Sequence, residues 1–102
     1  MIRTFKINTA SNADVVAAVP GKKIRVTSLV LATGGASPKF QSGGSTDLTG
    51  AFNLTSLTGV LVLPLAPDRL GEPLGYFETN AGEKLNLVVA AQIDGCGTYE
   101  LI

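Results

Sequence analysis

Apolar and polar residues alternate with a period of two along most of this chain, and Gly, Pro, Asn and Asp interrupt the alternating runs. Successive side chains of a strand point to opposite faces, so the pattern predicts half-buried β-strands and no helix of three turns. Residues 2–8, IRTFKIN, set Phe5 and Ile7 on one face. ADVVAAV at 13–19 fits either a strand or a short turn of helix, and Pro20-Gly21 then marks a turn. KIRVTSLVLAT at 23–33 is the clearest strand. Strict alternation puts Ile24, Val26 and Val30 on one face and Arg25, Thr27, Leu29 and Leu31 on the other. PKFQS is a short strand between two Gly-Gly pairs, and AFNLTS (51–56) and GVLVLPLA (59–66) follow. PDRLGEPLG is a turn-rich connection, since Pro fixes φ and Gly permits positive φ. YFET is a short strand or bend. KLNLVVAAQI (84–93) is a long strand with Leu85, Leu87 and Val89 on one face. Asp94-Gly95 then reads as a hairpin turn before the closing GTYELI.

About seven to nine short strands without helical punctuation predict an all-β fold over residues 1–102. The expected architecture is a single small antiparallel β-sandwich, jelly-roll-like, with a small barrel as the alternative. Each sheet of a sandwich buries one face, so its strands should alternate cleanly. Three segments do not. SLVLA sets Leu29 and Leu31 opposite Val30; VLVLPL sets Leu61, Leu63 and Leu65 opposite Val60 and Val62; LVVAA sets Val88 and Ala90 opposite Leu87 and Val89. A chain of 102 residues is too small to bury both faces of three strands by itself. Either loops close over one end of the sandwich, or the second faces meet another copy of the chain. On the second reading the interface candidates are Leu29, Leu31, Leu61, Leu63, Leu65 and Val88.

Composition narrows the chemistry. Hydrophobic residues make up 45% of the chain, which argues against disorder, and charged residues only 16%. Eight basic and eight acidic side chains cancel, so the basic excess of a nucleic-acid binder is missing. There is no histidine, which removes Ser-His and Cys-His pairs and most zinc sites. The single cysteine, Cys96, has no partner for an internal disulfide, and Asp94 nearby opposes thiolate formation. GGSTDLTG has the glycines and hydroxyls of a phosphate loop but no lysine after the glycine and no helix to follow. The carboxylates lie mostly in or beside turns, and no Asp-x-Asp-x-Asp-Gly run offers calcium a site. No enzyme activity, metal or cofactor is expected. The start of the chain lacks the apolar core of a signal peptide, and no apolar run approaches a membrane span. Synthesis in a cytoplasm follows as the expectation.

The ordered set VVAAVPGKKIRV (15–26), LVLATGG (29–35), FQSGGSTDLTG (40–50), VLVLPLAPD (60–68), GYFETNAGEKLNLVV (75–89) and GTYE (97–100) resembles a group of small phage-encoded virion proteins. That group often carries Trp in the aromatic turn where this chain has Tyr76-Phe77, and RLGEPLG lengthens one connection. The resemblance implies a jelly-roll capsid decoration or cement protein, a homotrimer on the outer surface of the head. Its partners are then other copies of itself and the major capsid protein, with no nucleic acid and no membrane. Residues 1–12 are read either as the chain's own first strand or as an N-terminal arm. As an arm they bring Ile2, Phe5 and Ile7 to the shell. The competing expectation is a lectin-like or tail-associated module that binds a host surface, with Tyr76 or Phe77 as its platform.

Overall fold

Alternating runs become strands where one side of the run can be buried against a second sheet. A computed structural model describes residues 2–33, 37–52, 59–64, 68–69, 72–73 and 75–102. Among them are eleven strands and no helix: β1 (Arg3–Thr9), β2 (Ala13–Val16), β3 (Ile24–Thr33), β4 (Lys39–Ser42), β5 (Thr46–Asp47), β6 (Gly59–Leu63), β7 (Asp68–Arg69), β8 (Glu72–Pro73), β9 (Phe77–Glu78), β10 (Leu85–Val88) and β11 (Ile93–Leu101). The first half of ADVVAAV, Ala13–Val16, is thereby resolved as a strand, and residues 17–19 are neither strand nor helix.

The strands pair as if one long hairpin had been folded over. β1 pairs β11, β2 pairs β10, β3 pairs β6 and β4 pairs β5, all antiparallel. Two further pairings, β11 with β3 and β10 with β4, join these into sheets of order β1-β11-β3-β6 and β2-β10-β4-β5. That is a jelly roll, the expected antiparallel sandwich. β9 adds beside the first half of β3, and β7 and β8 form a small hairpin of their own within the β6–β10 connection. The N-terminal segment is the edge strand of its own sheet, in register with β11 from Arg3 to Thr9.

The core lies between the two sheets. Phe5, Ile7, Ile24, Val26, Leu29, Leu31 and Ile93 face it from the first sheet, and Phe40, Leu85, Leu87 and Val89 from the second layer. Each such side chain contributes about 1.5–3 kcal/mol by leaving water. Phe40 also stacks tilted on Phe77, with ring centroids 5.2 Å apart. Buried hydroxyls are tied: Thr79 Oγ1 accepts the Ile24 amide at 2.9 Å, and Thr33 Oγ1 donates to the Gln92 carbonyl at 2.8 Å.

Three sequence expectations change here. KLNLVVAAQI (84–93), expected as one long strand, is strand only from Leu85 to Val88, and Ile93 already belongs to β11. In β3 the pairing with β11 jumps from Ser28 opposite Thr98 to Val26 opposite Tyr99, so Thr27 is an extra residue in the ladder. This β-bulge reverses the phase of alternation. Ile24 and Val26 face the core before it, Leu29 and Leu31 after it, and Val30 turns outward, 41% exposed. Strict alternation had placed Val30 with Ile24 and Val26. The bulge is sealed by the Thr27 hydroxyl, 2.7 Å from that of Thr98.

Asp94-Gly95, expected as a hairpin turn, lies inside β11, paired on both sides with Asn8-Ile7 and Ala32-Leu31. The chain instead crosses between sheets at residues 89–92, where Asn12 Oδ1 accepts the Val89 amide at 2.9 Å. Glycine is required in β11 for space rather than for a turn. A Cβ on Gly97 would lie 2.5 Å from the Phe5 ring and from the Ser28 carbonyl oxygen, and one on Gly95 would run into the Val30 carbonyl.

Candidate assembly surface

The polar side chains that resemble reactive groups are engaged in structural ties. Ser42 Oγ donates to Glu83 Oε1 at 2.6 Å and accepts the Asn80 amide at 2.9 Å, and Asn80 Nδ2 donates to the same Glu83 oxygen at 3.0 Å. The Ser42 and Asn80 bonds hold the Glu83 carboxyl below its usual range. A carboxylate with a lowered pKa is a weaker base, and these bonds tie the turn at residues 80–83 to Ser42. On the outer face of the second sheet, Gln41 Nε2 donates to Asp47 at 2.8 Å and Lys39 Nζ lies 3.3 Å away. These two partners likewise lower the Asp47 pKa. Lys84 meets Asp14 at 2.9 Å, and Arg25 and Lys23 flank Glu78 at 3.6 and 3.8 Å. Among the described residues no three His, Cys, Asp or Glu side chains group as a metal site.

The outer face of the first sheet is different in kind. Register places Lys6, Cys96, Val30 and Val62 in one cross-strand row and Asn8, Asp94, Ala32 and Val60 in the next. Val60 is 61% exposed and Val62 57%, and with Val30 they form a continuous apolar ridge over β3 and β6. Ala32 and Cys96 are exposed beside it. The polar residues of this face, Lys6, Asn8 and Asp94, collect on the β1 and β11 side. Between the two groups lies a trough of about 330 Å³ bounded by Thr4, Lys6, Ser28, Val30, Cys96 and Thr98. The opposite face of the molecule, on the second sheet, carries Asp14, Lys39, Gln41, Asp47 and Asn86.

The residues expected at an interface are redistributed by this arrangement. Leu29 and Leu31 have no exposed surface and belong to the chain's own core, so they are not available to a partner. Leu61 and Leu63 are half-buried and pack against the core from β6. Leu65 lies outside the described residues. Val88 is half-buried on the outer face of the second sheet, opposite Lys39, far from the ridge in the topology. Of the expected shell contacts, Ile2 is 46% exposed, whereas Phe5 and Ile7 are core residues. The excess of apolar residues on β3 and β6 does leave apolar surface exposed, but not at the leucines. The outward residues are Val30, Val60 and Val62. The bulge at Thr27 turns Val30 outward, and pairing with β3 puts Val62 and Val60 on the same face.

Tyr76 and Phe77 point apart as adjacent residues of an extended segment should. Phe77 packs on the core, while Tyr76 is 40% exposed with its hydroxyl donated to the Pro64 carbonyl. No family model, no curated protein and no solved structure matches this chain.

Proposed function

We infer that this chain is a non-catalytic structural module that assembles with copies of itself through the outer face of its first sheet. In that role it serves as a decoration protein on the outer surface of a phage head, gripping the major capsid protein, with a trimer as the expected assembly. The observation that carries self-assembly is the Val30, Val60 and Val62 ridge, three exposed aliphatic side chains contiguous by register on a sheet face. Exposed apolar patches of this kind mark interaction surfaces. A zero net charge, and a ridge whose charged neighbours Lys6 and Asp94 lie to its β1 and β11 side, favour burial against a like surface. The virion assignment is supported by the ordered motifs from residue 15 to residue 100 and by their compatibility with a jelly roll.

Copy number tests the virion role. Quantitative mass spectrometry of purified particles from a phage encoding the chain should find on the order of hundreds of copies per shell. A handful of copies overturns the decoration reading and favours the tail-associated host-binding one, and none overturns both. A glycan array then decides that alternative: binding lost in Tyr76→Ala is its expected signature.

A further inference from the structure

The ridge and the trough share one face and one row, with Val30 between them. Lys6, Cys96, Val30 and Val62 are successive cross-strand partners, so Cys96 and Val62 stand one strand to either side of β3. Neighbouring strands lie about 4.8 Å apart, which sets a knob and a hollow at equal distances from Val30. The hollow exists because Ser28, Cys96 and Thr98 are small, and its volume of about 330 Å³ is ample for a valine side chain.

A foreign partner would need only one of these two features. A surface that carries both, placed symmetrically, is complementary to itself, which is the property of contacts between identical subunits. Among the described residues only one charged group borders the hollow, Lys6, and its stem can lie on apolar surface while the ammonium stays in water. The size is also adequate. The molecule measures 38 × 26 × 20 Å. Two sheets about 10 Å apart account for the shortest dimension, and ten-residue β3 at about 34 Å for the longest. A broad face of at most 38 × 26 Å has room for the roughly 800 Å² per partner that a stable interface buries, with the contact extending past the ridge onto the β1 and β11 side.

We propose that Val62 of one copy seats in the trough over Cys96 of a second copy. This rests on the self-assembly reading above and specifies its contact. Two copies satisfy it reciprocally about an axis along β3; three satisfy it head to tail around a ring.

Val62→Cys tests the contact, and its exposed position leaves the core untouched. With oxidised glutathione as oxidant, the two thiols lose two electrons and two protons and form one disulfide between copies, while glutathione is reduced. Peptide mapping should find residue 62 joined to Cys96. The link should form about 1,000-fold faster than one from Lys22→Cys, since docking holds the thiols at millimolar rather than micromolar concentration. Covalent species stopping at two or at three chains both support the contact and report how the assembly closes. An assembly of unchanged mass without the 62–96 link, or with only 62–62 or 96–96 links, overturns the contact while leaving self-assembly intact. A monomer by light scattering removes both.

Discussion

Gly97 sits opposite Phe5 on β1 and Leu29 on β3, and the Phe5 ring covers the space where its side chain would be. Gly97→Ala must displace a core aromatic ring or part the central strands. Overpacking of this kind costs about 1–3 kcal/mol, read as a lower urea midpoint with an unchanged m-value. Gly50→Ala meets nothing within 4 Å and should stay within about 0.5 kcal/mol of the parent. Glu83 and Asp47 supply the acid limb of the stability profile. Hydrogen bonds lower both pKa values in the folded chain from ordinary values of 4.5 and 3.8. The stability they contribute is therefore fully present above about pH 4.5 and is lost as pH falls through the lowered folded values. Glu83→Gln should flatten that limb in urea titrations between about pH 5 and pH 2; an unchanged slope contradicts the role given to Ser42 and Asn80.

At the scale of elements, the period-two pattern made most of the sandwich legible. β1, β4, β6 and the inward set Leu85, Leu87 and Val89 follow it directly. Legibility stopped where pattern depends on a partner strand. The bulge at Thr27 inserts one residue and flips every position after it, and nothing local in VTSLV announces that. Asp94-Gly95 has turn chemistry, yet the jelly roll needs nine residues there to lie between β1 and β3, and pairing on both sides overrides the local preference. The interface assignment inherited the first of these misses, which is why it fell on Leu29 and Leu31. Two truncations separate the faces. Leu29→Ala removes a fully buried side chain and should cost about 2–5 kcal/mol. Val60→Ala, at 61% exposure, should leave the stability of the dilute protein within about 0.5 kcal/mol. Equal losses would contradict the phase of β3 and β6.

The whole molecule is two-faced: charged and hydrogen-bonded on the second sheet, neutral and aliphatic over half of the first. A chain of 102 residues with zero net charge gains no solubility from charge repulsion, so an open valine ridge is a surface to be covered. Self-association through that ridge is the central claim, and solution mass tests it most directly. Static light scattering at micromolar concentration should give a small integral multiple of 10.5 kDa, falling to the single-chain mass in Val62→Asp with the fold retained. A parent chain that remains at 10.5 kDa up to about 100 μM, or a Val62→Asp variant of undiminished mass, would contradict it.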